Sequence, residues 1–103
     1  MAKKSVTWTQ TAIRQRRDIL KYWNEKNHSS TYAEKLVLLI KDRVNFIVEN
    51  PDAGKLTSHL DTREAAMGNF SIYYKITEST IYIIAFWDNR QDPDKLAKKL
   101  LEA

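Results

Sequence analysis

Cysteine is absent from this 103-residue chain, and glycine and proline occur only twice each. The lack of cysteine excludes disulfides, thiolate metal sites and a cysteine nucleophile, and it fits a reducing cytosol. The scarcity of glycine and proline argues against long linkers and low-complexity segments. No apolar run is long enough to cross a bilayer, and the N-terminal lysines are not followed by the apolar region of a signal peptide. We therefore expect a cytoplasmic protein that does not engage membranes.

The composition is that of a globular protein, with 43% hydrophobic and 29% charged residues. At this length we expect one compact domain over residues 1–103. Lysine and arginine number 17 against 13 acidic residues, which gives a net charge of +4. This modest excess suits nucleic acid, a ribosome or an acidic protein as a partner.

The first half of the chain predicts a short strand and two amphipathic helices. Val6 and Trp8 alternate with polar residues in a strand over 5–9. Apolar residues at helical spacing predict a first helix over 11–27 and a second that ends at Asn50. The stripe of the second helix consists of Ala33, Leu36, Ile40, Val44 and Ile47.

The junction of these two helices predicts an antiparallel helical hairpin. Thr31 and Glu34 have the spacing of a capping box at the start of the second helix. Arg16 projects from the middle of the apolar face of the first helix. Two interpretations stay open: its stem lies along the core with the charge at the edge, or it forms a partly buried ion pair, for example with Asp88.

The second half of the chain predicts a loop, three strands and a short helix. The loop covers residues 51–61 and the turn between the first two strands is Gly68-Asn69. The strands are predicted at 62–67, 70–77 and 80–87. The last strand is apolar on both faces, as is typical of a central strand. Asp92 and Pro93 then have the pattern of a helix start.

The resulting order, β-α-α-β-β-β-α, predicts an α+β fold in which a helical hairpin packs on one face of a mainly antiparallel sheet. In the middle strand, Phe70, Ile72, Tyr74 and Ile76 would face these helices. The opposite face would show Tyr73 and Lys75 to solvent, with Arg63 beside them and Arg90 at the strand end. Such a surface can hold phosphates and stack a base, but it is also an ordinary polar sheet face.

No strong enzyme motif is present in the sequence. It has no glycine-rich phosphate loop, no paired-histidine metal spacing and no nucleophile elbow, so we expect neither a metal nor a cofactor. His28 and His59 fall in predicted loops, where a solvated histidine is the ordinary case. His59 is the more interesting because Asp61, Arg63 and Glu64 follow it closely.

Several segments together resemble the RelE/ParE superfamily of bacterial type II toxins. The layout matches, as do the first helix "TAIRQRRDILKYW", the hairpin "TREAAMGNFSIYYKI" and the strand end "IIAFWDNRQDP". The resemblance covers nearly the whole chain. It implies a growth-inhibiting toxin, useful in plasmid stabilisation, that a cognate antitoxin neutralises.

The superfamily has two main activities. RelE-like members cut mRNA in the ribosome without a metal, and they use basic and acid–base side chains to activate the 2′-hydroxyl and stabilise the transition state. ParE-like members inhibit DNA gyrase and lack that set. An inactive relative that only binds its antitoxin is a third possibility.

The residues match the two branches unequally. Arg90 lies where RelE-like toxins carry an arginine after the last strand, which implies a phosphate-binding role; pairing with Asp88 or Asp92 is the structural alternative. The RelE-like hairpin arginine is replaced by Ser71, and the C-terminal tyrosine or histidine has no counterpart. The Arg-Glu pair at Arg63 is closer to the ParE-like pattern.

We therefore favour a ParE-like inhibitor of gyrase or a similar target, with a ribosome-dependent mRNA interferase as the alternative. Catalytic candidates for the interferase are Arg90, Arg63 and His59. Candidates for binding a target or nucleic acid are Lys75, Tyr73 and Arg90. The expected partners are an acidic antitoxin, the target itself, and operator DNA only as a complex with antitoxin.

Overall fold

The computed structural model describes residues 3–102, with side chains through residue 101. Three helices are present in this range: α1 (Gln10–Asn27), α2 (Thr31–Glu49) and α3 (Pro93–Glu102). The strands are β1 (Ser5–Trp8), β2 (Lys55–Leu56), β3 (Arg63–Met67), β4 (Phe70–Ile76) and β5 (Thr80–Asp88). A short 3-10 helix, Pro51–Ala53, follows α2 directly. The α+β fold and the order of the long elements are confirmed.

The five strands form one sheet in the order β1-β5-β4-β3-β2. β1 runs parallel to β5, and the other neighbours are antiparallel. The sequence interpretation missed β2 because it treated residues 51–61 as a loop. Two residues are too few to show an alternating pattern, so only pairing with β3 defines this strand.

The helical hairpin covers one face of the sheet, as predicted. The apolar stripe of α2 is buried except at Val44, which is half-buried. This stripe packs with Ala12 and Ile19 of α1 against the inward side chains of the sheet. Those sheet residues include Ala65, Phe70, Ile72, Tyr74, Ile81, Ile83 and Phe86. Burying so many large apolar side chains supplies the main driving force for folding.

The helix termini differ in part from the prediction. Thr9 caps α1 by accepting the N–H of Ala12 at 3.2 Å, and His28 ends that helix in the left-handed conformation at φ 50°. The capping box at Thr31 is wrong, since Thr31 is already helical and Ser30 takes the cap position. Ser30 still pairs with Glu34, through its hydroxyl and the carboxylate at 3.2 Å.

The structure agrees with the first interpretation of Arg16, in which its stem lies along the core and its charge at the edge. Its guanidinium lies over the ring of Trp8, 4.3 Å from the ring centroid. This cation–π contact keeps the charge at the edge of the core while the stem covers apolar surface. An ion pair between Arg16 and Asp88 is wrong, because the carboxylate of Asp88 is already bound by Arg90.

Helix α3 covers part of the second face of the sheet. Leu96 and Leu100 pack on a small separate cluster that contains Tyr73 and Trp87. Asp92 caps the helix by accepting the N–H of Asp94 at 2.9 Å, as the sequence predicted. β4 is therefore buried on both faces over most of its length.

The start of β3 is tied to the end of α2 by a group that we call the β3 junction: Pro51, Asp52, Gly54, Arg63 and Tyr74. The hydroxyl of Tyr74 donates to the carbonyl of Pro51 at 2.7 Å and accepts the N–H of Gly54 at 3.0 Å. A Cβ atom at residue 54 would lie 2.3 Å from that hydroxyl, so this position requires glycine.

Candidate functional site

The open basic surface expected on the sheet is not formed as predicted. Tyr73, expected to face solvent, is only 6% exposed because α3 covers it. Lys75 is half-buried further along β4 and pairs in register with Tyr82, which is 39% exposed. The prediction failed because the shared face of Leu96 and Leu100 did not show where α3 would pack, and in the structure that face covers Tyr73.

Arg90 follows β5 and forms a bidentate ion pair with Asp88. Its Nε and Nη2 atoms donate to the two carboxylate oxygens, each at 2.8 Å, and its main-chain N–H donates to Oδ1 at 3.0 Å. Burial would raise the pKa of Asp88, but the hydrogen bonds and charge of Arg90 outweigh it and hold that pKa below its ordinary value. The same pairing raises the pKa of Arg90.

Aromatic rings enclose the guanidinium of Arg90 further. It lies 4.7 Å from the ring centroid of Trp23 and 5.5 Å from that of Phe70. The side chain of Arg90 is 46% exposed while that of Asp88 is 10% exposed. The contact of Arg90 with Trp23 thus joins α1 to the end of the sheet, while Nη1 takes no part in the ion pair.

A groove of about 510 Å³ opens beside this ion pair, between α1 and the end of β5. We call it the β5 groove. Its walls are Gln15, Asp18, Ile19, Tyr22, Trp23 and Lys26 of α1, and Phe86, Trp87, Asp88, Arg90 and Gln91. Mixed aromatic and hydrogen-bonding walls are typical of binding sites.

Two residues that line the β5 groove each carry a buried donor atom that has no partner among residues 3–101. They are Nε2 of Gln15 and Nε1 of Trp23. The other end of the Gln15 amide is used, since its Oε1 accepts the main-chain N–H of Phe86 at 2.9 Å. Buried donors are nearly always paired in folded proteins, so these two are exceptions to the usual pattern.

Arg63, the second arginine of the candidate set, is part of the β3 junction. Its Nη1 donates to the carbonyls of Gly54 at 2.8 Å and of Asp52 at 3.1 Å, and its Nη2 lies 3.7 Å from the Asp52 carboxylate. Through these contacts the guanidinium of Arg63 donates hydrogen bonds to main-chain carbonyls in the segment that follows α2. The structure therefore separates Arg63 from Arg90, since the first lies at the start of β3 and the second beyond the end of β5.

His59 lies in a tight turn that ends before β3. Its main-chain N–H donates to the hydroxyl of Thr57 at 3.1 Å, and its carbonyl accepts the N–H of Thr62 at 3.2 Å. Asp61 in the same turn has a positive φ of 53°. The structure thus gives the main chain of His59 a role in shaping the turn and does not bring its ring to Arg90.

A polar network that the sequence interpretation missed lies beneath α3. The carboxylate of Glu64 accepts from the hydroxyls of Ser71 at 2.6 Å and Tyr73 at 3.2 Å, and Asn89 donates to Ser71 at 2.9 Å. Burial, followed by the nearby charge of Glu64, raises the pKa of Tyr73 to about 12. The hydroxyl of Tyr73 therefore stays protonated at neutral pH.

The sequence carried a weak signal for both missed groups. Glu64 and Tyr73 are directly paired across β3 and β4, which the hairpin turn at Gly68 already implied. Gln15 and Trp23 are eight residues apart on α1, so they lie on roughly one side of that helix. The sequence pattern did not predict that α1 passes over the end of β5.

Within residues 3–102, no cluster of three or more histidine and acidic side chains has the geometry to hold a metal ion. In the same range, none of the helices has the length and hydropathy needed to span a membrane.

The comparisons with known proteins bear on the fold and the family. The model of the ParE toxin of type II toxin–antitoxin systems, parDE, matches residues 6–93. A search of curated proteins finds no match. Among solved structures, the chromosomal ParDE system of P. aeruginosa aligns with a TM-score of 0.71 at 22% identity, over 82% of this chain and 94% of that chain.

Two further structures share the fold at low identity. Free E. coli RelE, solved as a mutant, aligns with a TM-score of 0.66 at 14% identity, over 98% of this chain and 97% of RelE. The RelBE2 toxin–antitoxin complex of Mycobacterium tuberculosis gives 0.61 at 18% identity, over 82% and 96% of the two chains. Because the ParE family model spans most of the sequence, this chain belongs to the ParE toxin family of type II toxin–antitoxin systems.

Proposed function

We propose that this toxin inhibits growth without cutting RNA, by acting on DNA gyrase or a similar enzyme in the cytoplasm. The observation that carries the proposal is the state of its two candidate arginines. Arg90 is held by Asp88 through two hydrogen bonds, and Arg63 is held by main-chain carbonyls. A phosphate would have to displace these partners before either guanidinium could stabilise a developing charge.

The charge on β3 is also unfavourable for phosphate binding. RelE-like toxins tend to carry lysines on this strand, whereas here Glu64 places a carboxylate beside Ser71. A negative charge there would repel the phosphorane that forms during RNA cleavage. The geometry therefore favours a protein that binds its target over one that cuts RNA.

The Glu64 network is also poorly suited to proton transfer. Tyr73 has the only phenol hydroxyl in the Glu64 network, and its pKa of about 12 keeps the proton in place. A general acid or base works best when its pKa lies near the operating pH. Tyr73 is also buried, so its direct contact with a target would require α3 to move. Lys75 and Arg90 are the better candidates for target contact.

The antitoxin is the second part of the proposal. The matching family model and two of the similar structures belong to toxin–antitoxin pairs. This chain carries a net charge of +4, which favours an acidic neutralising partner. We expect the pair, and not the toxin alone, to bind operator DNA.

Induction of the toxin in growing cells, with and without the neighbouring open reading frame, tests this function. We expect growth arrest, unbroken transcripts and an SOS response, together with loss of gyrase supercoiling activity in a purified assay. Rescue by co-expression of the neighbouring product would identify the antitoxin. Codon-linked cuts in mapped transcript ends would contradict the proposal and support an interferase.

One observation keeps the interferase alternative worth testing: Arg90 is half-exposed and its Nη1 atom is outside the ion pair. For that branch, Arg90→Ala should abolish toxicity while the fold is retained. Arg14→Ala is the matched control, since Arg14 is an exposed arginine of α1 outside the groove. Full toxicity of Arg90→Ala would remove this residue from the mechanism, and no toxicity of the parent would indicate an inactive antitoxin-binding relative.

A further inference from the structure

The outward side of α2 carries a group of exposed apolar side chains. Leu38, Leu39 and Phe46 are 63%, 46% and 46% exposed. At about 100° per residue, these three fall within an arc of about 100° on the side of the helix that faces away from its buried stripe. In α1 the two exposed large apolar residues, Ile13 and Tyr22, are nine positions apart and therefore project from opposite sides. The apolar residues of α2 thus form a patch, whereas those of α1 are isolated.

Charged residues accompany this patch at regular spacing. Asp42 lies four residues after Leu38 and four residues before Phe46. Lys35 and Glu49 lie seven residues before and after the same Asp42. Spacings of four and seven keep side chains on one side of a helix. We call this set the α2 outer face; its members are all exposed, and they are Lys35, Leu38, Leu39, Asp42, Phe46 and Glu49.

The order of the charges on the α2 outer face is self-complementary in one orientation only. A second α2 that lies antiparallel, with its centre at Asp42, places Lys35 of each copy opposite Glu49 of the other. The same arrangement places Leu38 of each copy against Phe46 of the other. A parallel pair would instead oppose lysine to lysine and glutamate to glutamate, and like charges in contact are unfavourable.

The charges of the α2 outer face are available for such a pairing. Lys35 and Asp42 form no ion pair among residues 3–101. Glu49 contacts Lys3 within the chain, but both side chains are more than half exposed, so this pair can be exchanged for another. The two Asp42 carboxylates would meet near the axis of the pair, where the adjacent Arg43 of each copy supplies the opposite charge.

We propose that the α2 outer face is a self-association surface, through which two copies of this chain pair antiparallel about a twofold axis. Such a contact uses the same surface on both copies, so it yields a dimer and not a filament. One helix from each copy makes a small interface, and we expect a dissociation constant on the order of 10 µM. None of these residues lines the β5 groove, so the pairing does not use the walls of that groove. Pairing of this kind is independent of the target that the toxin inhibits.

Sedimentation equilibrium of the full-length toxin, from about 1 to 200 µM, measures this pairing. We expect the average mass to rise from that of one chain toward that of two. Leu38→Glu should weaken the dimer about tenfold, because it places a charge against Phe46 of the second copy. The matched control is Leu60→Glu, at a leucine that is 82% exposed and lies outside α2, and it should change the dissociation constant less than about twofold.

Exchange of the two end charges tests the antiparallel orientation. Lys35→Glu and Glu49→Lys should each weaken the dimer about fivefold, since each places like charges opposite one another. The double variant restores opposite charges across the pair, and its dissociation constant should return to within about twofold of that of the parent. All replaced side chains are exposed, so each variant should keep the unfolding midpoint of the parent in urea.

An average mass that stays at one chain up to the highest concentration would overturn the proposal. A dimer that Leu38→Glu leaves intact, or a charge exchange that fails to restore pairing, would overturn the assignment to α2. A monomeric toxin whose affinity for the antitoxin or for gyrase falls with Leu38→Glu would also overturn self-association, and it would assign the α2 outer face to that partner.

Discussion

The β3 junction and the β5 groove each hold one arginine. The two arginines differ in their exposure and in the kind of acceptor that binds their guanidinium groups. Arg63 in the junction has a side chain that is 23% exposed and donates to two main-chain carbonyls. Arg90 at the groove is 46% exposed, and its partner is the carboxylate of Asp88. A main-chain carbonyl inside a folded segment cannot leave, whereas an ion pair at a rim can be remade with another partner.

The residues around the two arginines also differ in whether their polar groups have partners within the chain. In the β3 junction, Tyr74 both donates and accepts within the chain, and Gly54 admits no added atom. Beside the β5 groove, the buried donors of Gln15 and Trp23 are left without partners among the described residues. Similar residue types thus build a closed structural joint at one end of the sheet and an open surface at the other.

The largest expected effect is that of Gly54→Ala in the junction. The new methyl would lie 2.3 Å from the hydroxyl of the fully buried Tyr74, so one of the two must move and the hydroxyl bonds would break. We expect a loss of about 2–3 kcal/mol in the free energy of unfolding, measured by urea denaturation.

Gly68→Ala is the matched control for this substitution. Gly68 has a positive φ of 64° but open space around it, so it should cost only about 1 kcal/mol through backbone strain. Equal losses at the two glycines would contradict the account of the junction as the tighter site.

Replacing the two arginines by methionine compares the regions directly. Arg63→Met leaves the carbonyls of Asp52 and Gly54 without donors, and we expect a loss of about 2 kcal/mol. Arg90→Met should cost about 1 kcal/mol, because a half-exposed ion pair is weakened by solvent. Urea denaturation measures both, and a larger loss at Arg90 would reverse the assignment of structural and open sites.

Lowering the pH should weaken the ion pair between Asp88 and Arg90 at the β5 groove and leave the hydrogen bonds of the β3 junction unchanged. Because the pKa of Asp88 in the folded state lies below the ordinary value of about 3.9, its ion pair stabilises the fold above that value. This stability is lost as the pH falls through the lowered pKa. The difference in unfolding free energy between the parent and Asp88→Asn should therefore shrink between pH 6 and pH 3. A constant difference would show that the charge of Asp88 contributes nothing.

The smallest expected effect is that of Tyr73→Phe beneath α3. The hydroxyl donates to Glu64, so its loss should cost about 0.5–1 kcal/mol near neutral pH. Since the folded pKa is raised to about 12, the stabilisation is complete below about pH 10 and is lost as the pH rises through 12. Urea denaturation at pH 8 and pH 11 should therefore show a smaller difference in unfolding free energy between parent and variant at the higher pH, and an unchanged difference would contradict the prediction.

Periodicity predicted most of the fold because it reports which faces are buried. The stripe of α2 and the inward residues of β4 were found in this way. The two-residue strand β2 and the first turn of α2 were missed or misplaced, since each depends on a few local bonds. For the candidate site, the sequence identified Arg90 and Arg63 as the residues to examine but placed them on one surface.

The sequence by itself determined the α+β layout, the basic charge and membership of the ParE family, because these depend on composition, periodicity and matched segments. Only the tertiary structure decided which charges are available. It joined Arg90 to Asp88, gave Arg63 to the carbonyls after α2, and closed α3 over Tyr73. The pair of Arg90 with Asp88 is local and was one of the alternatives that the sequence left open, but the contacts of Arg63 and Tyr73 depend on how elements distant in sequence pack together. That packing turned an expected basic face into a covered one and left the groove beside β5 open.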